Sequence, residues 1–219
     1  MRILRRLDYF LLAVVLVIFT IGLATIATAT DFEVDRVLTR EMKVQIIAFV
    51  AGIVAMGVIF VIPYDWFGKL HWIIYGASIF LLLLVYLPGI GVERFSARSW
   101  IELGPIDFQT SELTKIGYVL FLSKFMADKK GKVSLWDVLI AIGTALPIIV
   151  LLLLQPDLGG AMVFVFITFG ILFVSGMKYW HIALGLSTLV AVFPFAYKFL
   201  KPHQKVRFEA FLNPDDLSL

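Results

Sequence analysis

The sequence predicts an all-α fold, a polytopic bundle of transmembrane helices with about seven spans, and three observations predict it. Of its 219 residues 61% are hydrophobic and only 16% charged, with a mean hydropathy of +0.96, far too apolar for a water-soluble domain. The apolar residues fall into runs of bilayer length with the charges gathered between them. Proline, glycine, tyrosine and tryptophan mark the ends of those runs, where helix terminators and interfacial aromatics belong. The same composition excludes other classes. The formal net charge of +3 comes from cations scattered through interhelical segments, which argues against a nucleic-acid partner. With no cysteine there is no disulfide, thiolate nucleophile or cysteine metal site. His71, His181 and His203 lie far apart without metal-ligand spacing, so no zinc site is assigned.

Arg2, Arg5 and Arg6 precede an apolar run over Tyr9 to Ala29. At about 1.5 Å per helical residue this run spans a hydrocarbon core of about 30 Å. A cleavable signal peptide is the rival reading, with Ala27-Thr28-Ala29 as its small-residue site. The length of the run and the spans that follow favour a membrane helix. After a charged loop from Asp31 to Lys43 comes a second span, Val44 to Ile62, closed by Pro63 and the interfacial Tyr64 and Trp66. A third, Trp72 to Leu87, ends at Pro88-Gly89. The longest polar interruption follows, with Gly104-Pro105 marking a turn within it. Ser111 is positioned to cap a fourth helix running to about Met126. A basic loop, Asp128 to Lys132, leads to a fifth span, Val138 to Leu154. Gln155 to Gly160 is so short that the sixth span, Ala161 to Ser175, must pair with the fifth as a hairpin. The seventh, Ile182 to Phe199, runs into a basic tail containing Lys198, Lys201, His203, Lys205 and Arg207.

Charge bias leaves the orientation open. With the N-terminus placed in the cytoplasm, nine lysines and arginines fall inside and nine outside, leaving aside Lys115. One cause of such a tie is that outside cations are kept for an anionic ligand.

Four clusters carry candidate chemistry, each with a plainer alternative. Glu112 and Lys115, three apart on one helix face, form either an intramembrane ion pair within a substrate site or a helix start whose lysine snorkels to the interface. Arg94 and Arg98, near Trp100, either grip phosphate or anchor a loop at lipid head groups. Gln155-Pro156-Asp157 places a carboxylate at a helix start, as an ordinary hairpin cap also would. The cations from Lys198 to Arg207 either bind a phosphorylated lipid or form a basic flank of the last span.

In this order and between these spans, the clusters resemble the SEDS (shape, elongation, division and sporulation) family of bacterial membrane proteins, nearer its rod-shape branch than its division branch. Three segments carry the resemblance: Ala97 to Pro105 running into Phe108-Gln109-Thr110-Ser111-Glu112 and Lys115; Leu151 to Gly159 with its Gln155-Pro156-Asp157; and Phe211-Leu212-Asn213-Pro214. Three departures stand out. Ser99 occupies the place of a usual second arginine, Thr110 that of a proline and Gly160 that of a threonine.

The resemblance implies a single membrane domain in the bacterial cytoplasmic membrane, with a cytoplasmic N-terminus. It also implies a family pattern of ten spans, with a catalytic aspartate in the large outer loop after the seventh. Leu219 falls inside that loop, so the chain is expected to be an N-terminal portion without the catalytic residue. The implied activity is peptidoglycan glycosyltransfer, polymerising lipid II with release of undecaprenyl pyrophosphate, and the implied partner is a class B penicillin-binding protein. Such a transfer needs a base for the attacking hydroxyl and cations for the departing pyrophosphate. The expected substrate-binding residues are Arg98, Glu112, Lys115, Asp157, Lys201 and Arg207. A divalent cation, Mg or Mn, would serve the same leaving group. Two readings from other classes compete: a flippase for lipid-linked precursors, which also needs midplane charges, and a non-catalytic scaffold of the cell-wall machinery.

Overall fold

The computed structural model describes residues 8–29, 39–94, 97–103, 106–129, 133–181, 183–185, 187, 191 and 205. Seven helices and three strands are described, in two compact units, Met1–Pro63 and Tyr64–Leu219.

The first unit holds α1 (Tyr9–Ala29) and α2 (Arg40–Val61). α1 is apolar on every side, as is α2 beyond the charged and polar residues of its first two turns, and neither buries a residue within the chain, so their surfaces suit a lipid environment. Phe19 and Phe49 stack with ring centroids 3.8 Å apart and tie the two together. Thr39 caps α2, its hydroxyl accepting from the Met42 amide.

The second unit begins with a short helix, α3 (Tyr64–Lys69), where interfacial aromatics alone were expected. It continues through α4 (His71–Leu84) to a three-stranded antiparallel meander, β1 (Gly91–Arg94), β2 (Ala97–Leu103) and β3 (Ile106–Gln109). The polar stretch read from the sequence as a loop is thus largely sheet, attached to a helical membrane bundle. Trp100 pairs with Gln109, Ile101 with Phe108 and Glu102 with Asp107. β3 passes without a loop into α5 (Thr110–Ala127), followed by α6 (Leu135–Leu154) and α7 (Leu158–Val174). Because the strand feeds the helix directly, Gln109 occupies the N-cap position and Ser111, the expected cap, is buried inside the first turn.

Six of the seven expected spans coincide with described helices, and the seventh falls largely outside the described residues. α1, α2 and α6 are long and apolar enough to cross a membrane, while α4 and α7 are shorter apolar helices. The chain is a multi-pass membrane protein with an all-α bundle as its frame.

α5 is the centre of the second unit. Thr110, Ser111, Thr114, Gly117, Tyr118, Phe121, Leu122 and Met126 are buried at helical spacing, and they pack on α4 and α7. Buried Leu82, Ala141, Ile148, Leu152, Phe164 and Leu172 complete the core. Pro147 interrupts α6 and costs one backbone hydrogen bond. Hydroxyls serve carbonyls around that break: Tyr75 donates to the Thr144 carbonyl at 2.8 Å, and the Thr144 hydroxyl to that of Ala141, also at 2.8 Å. At the start of α6, Ser134 and Asp137 form a reciprocal capping box, and Asp137 also pairs with Lys129 at 2.7 Å.

Candidate functional site

Chain direction places four of the sequence-predicted residues, Arg98, Glu112, Lys115 and Asp157, at one end of the second unit. The C-terminal end of α4, the N-terminal end of α5 and the α6–α7 turn meet there, with the sheet against them. Gly89, at φ +83°, makes the turn after α4, and Gly91 then passes so close to the Val85 carbonyl that a side chain would overlap it.

Alternation along β2 sends Arg98 out to solvent and turns Ser99 inward. The Arg98 guanidinium donates to the Leu87 carbonyl at 3.4 Å, bracing the strand to the end of α4. Ser99 is fully buried, and its carbonyl accepts from the Thr110 hydroxyl at 3.3 Å. Two of the departures from the family pattern therefore touch each other across the sheet–helix joint.

Glu112 and Lys115 form the expected ion pair, with Nζ and Oε1 2.7 Å apart. The glutamate side chain is 59% exposed and the lysine 27%. Lys115 lies at the edge of the packed face of α5, beside the buried Leu122 and Met126 on the helix surface, and Glu112 lies one step further out. An exposed pair of this spacing stabilises a helix by only about 0.3–0.5 kcal/mol, so folding alone gives a weak account of it.

Asp157 caps α7, with Oδ1 accepting from the Gly160 amide at 2.8 Å. The plain capping role is thus fulfilled by one oxygen. Its Oδ2 is buried and has no hydrogen-bond partner. A Cβ at Gly160 would stand 2.5 Å from that same Oδ2, so the third departure is coupled to the orientation of the carboxylate.

Gln155, quoted in the sequence motif but not chosen as a site residue, is 1% exposed. Its Nε2 donates to the Leu82 carbonyl at 2.9 Å, while Oε1 is buried without a partner. A glutamine closing a run of leucines was the signal that could have identified it. Together with Ser99 Oγ and Asp157 Oδ2, three buried oxygens at this end lack partners, which is uncommon for buried polar groups.

Lys201 and Arg207 lie outside the described residues. No group of three or more carboxylates or histidines converges among the described residues, so these alone do not fit a Mg or Mn site. Asp157 and Glu112 are separate carboxylates with partners of their own.

A family model described as "cell cycle protein", for FtsW, RodA and SpoVE, matches residues 6–218. Among curated proteins the chain is similar to a probable peptidoglycan glycosyltransferase FtsW of Thioalkalivibrio sulfidiphilus, 31% identical over 97% of the chain and 54% of that protein. It is also similar to stage V sporulation protein E of Bacillus subtilis, 29% identical over 94% of the chain and 58% of the relative. The chain therefore spans little more than half the length of these relatives. Among solved structures, one described as a peptidoglycan synthase complex that coordinates polymerization and crosslinking matches at 33% identity and a TM-score of 0.80. That match covers 98% of this chain and 61% of the other. The rod shape determining protein RodA of Thermus thermophilus matches at 34% identity and a TM-score of 0.71, over 85% of this chain and 60% of its own.

Proposed function

The chain belongs to the FtsW/RodA/SpoVE family of cell cycle proteins, and on that premise we propose that it serves a peptidoglycan glycosyltransferase of the cytoplasmic membrane, polymerising lipid II during cell elongation. The observation that carries the reading is the Glu112–Lys115 ion pair, set on α5 at the same end of the bundle as Arg98 and Asp157.

In the reaction, a sugar hydroxyl attacks the anomeric carbon of a lipid-linked donor. The new C–O bond forms as the bond to undecaprenyl pyrophosphate breaks. The hydroxyl proton passes to a base, and the electron pair leaves with the pyrophosphate. Lys115 and Arg98 are suited to the negative charge that develops on the leaving group, with Lys201 and Arg207 assigned to the same task. Glu112 holds the Lys115 ammonium in place, and Asp157 belongs to the same binding set through its inward oxygen. The base is the aspartate that the family pattern places beyond Leu219. A divalent cation, where bound, would neutralise pyrophosphate charge with ligands from outside the described residues. The partner in this reading is a class B penicillin-binding protein supplying the cross-links. The elongation role, as distinct from division or sporulation, rests on the motif resemblance.

The test is glycan synthesis from lipid II by the complete natural protein in detergent. The unaltered protein is expected to make polymer, and Lys115→Met to abolish synthesis while the protein stays folded and membrane-inserted. Normal synthesis by Lys115→Met removes the residue from the mechanism. Absence of polymer from the unaltered protein sinks the polymerase reading in favour of a flippase, which needs two membrane sides, or a scaffold.

A further inference from the structure

At the end of α5 away from the sheet, α3 and the last turns of α5 form an open cavity of about 520 Å3. Tyr64, Phe67 and Leu120 supply apolar wall, and Asp65, Lys69 and Lys124 supply charge. The Lys124 stem lies beside Gly68, where a Cβ would sit 3.5 Å from its Cδ and Cε. Its ammonium is already committed to Asp128, 2.6 Å away. Asp65 and Lys69 have no ion-pair partner among the described residues.

The balance of charge narrows the occupant. With Lys124 neutralised by Asp128, the cavity offers one cation and one carboxylate. A net-anionic ligand would meet no net attraction, whereas a zwitterion would find a counter-charge for each of its groups. The setting narrows it further. Tyr64, Trp66 and Trp72 are exposed around this end at 82%, 58% and 54%, the aromatic pattern of a membrane–water interface. A site there with apolar walls and two opposite charges matches a phospholipid head group whose phosphate and amine are a few bonds apart.

We propose that this cavity binds the head group of a zwitterionic aminophospholipid, its phosphate on Lys69 and its primary ammonium on Asp65. A primary ammonium brings three N–H donors to the carboxylate, while a trimethylated head group of equal charge brings none. The site therefore separates the two lipids by hydrogen bonding, where charge alone would not. It stands at the far end of α5 from Glu112 and Lys115, and the proposal goes beyond the glycosyltransferase reading without depending on it.

The experiment is native mass spectrometry of the delipidated protein in detergent, titrated with phosphatidylethanolamine, phosphatidylcholine or phosphatidylglycerol of identical acyl chains. The ethanolamine lipid is expected to bind about tenfold more tightly than the other two. Asp65→Asn is expected to bring ethanolamine and choline lipids to equal affinity, and Lys69→Met to weaken both by a similar factor. Equal binding of the three lipids by the unaltered protein, or a preference for the glycerol lipid, overturns the proposal whether or not the variants fold. Ethanolamine selectivity that survives Asp65→Asn overturns it too.

Discussion

Gly117 on α5 lies so close to Ser78 on α4 that a Cβ there would fall 2.1 Å from the serine Oγ. Ser78 is 4% exposed, and its hydroxyl donates to the Ile74 carbonyl at 2.8 Å, so it has little room to turn away. The Thr114 hydroxyl is shared between the Thr110 carbonyl of its own helix at 2.9 Å and the Ser78 carbonyl at 3.3 Å, the longer bond spanning the same crossing. Small residues let membrane helices approach this closely. Gly117→Val is therefore expected to force α4 and α5 apart and cost about 2–3 kcal/mol. Thermal unfolding in detergent reads this loss, and a change under about 0.5 kcal/mol would show that the crossing is more yielding than its geometry.

Lys115→Met separates stability from function. Since Glu112 is exposed and the pair is an i,i+3 contact within one helix, its removal is expected to change unfolding free energy by no more than about 0.5 kcal/mol. Loss of glycan synthesis beside an unchanged melting curve assigns the pair to chemistry. Loss of both together assigns it to folding.

Gly160 and Asp157 are coupled through one oxygen. Gly160→Thr must displace the carboxylate, because the new Cβ would meet Oδ2 at 2.5 Å and Cγ at 2.8 Å. Asp157→Ala removes an N-cap and is expected to cost about 1 kcal/mol in the natural background. In the Gly160→Thr background the same substitution is expected to cost close to nothing. A double-mutant cycle measures the difference, and additive effects would show that the cap survives the threonine.

Asp128 gives a pH dependence with a definite sign. The hydrogen bond from the Lys124 ammonium, 2.6 Å away, holds its carboxyl below the ordinary value of 3.8. A carboxyl depressed by folding adds stability that is present above its unfolded-state pKa and lost as pH falls through the lowered folded-state value. Lys124→Met is expected to return the titration of Asp128 to the ordinary range. Carbon-detected NMR of the side chain follows it, and an unshifted titration in that variant would remove Lys124 as the cause.

Much of this frame is legible in the amino-acid sequence because hydropathy is a bulk property. The span read as Tyr9 to Ala29 coincides with α1, and the Gln155–Gly160 segment does turn α6 back into α7. The sheet was missed because Gly91 to Gln109 mixes charged, small and apolar residues, and strand pairing depends on partners that no local pattern names. Ser111 was misread for a related reason. A serine before an apolar run signals a cap, but here the strand ends in the cap residue, Gln109, and the helix starts two positions earlier than a Ser111 cap would place it. Spacing also placed Glu112 beside Lys115 correctly, because three residues on a helix fix two side chains on one face. Burial of Gln155 and the free oxygen of Asp157 depends on the meeting of distant helices, which spacing does not encode.

The direct passage from β3 into α5, Gln109 followed at once by Thr110, makes the two elements one mechanical part. The sheet is a handle and α5 a shaft of 18 residues, about 27 Å long, with no slack loop at the coupling. The pairing of β3 with β2 therefore fixes the entry of α5 into the bundle, and with it the first turn that carries Glu112 and Lys115.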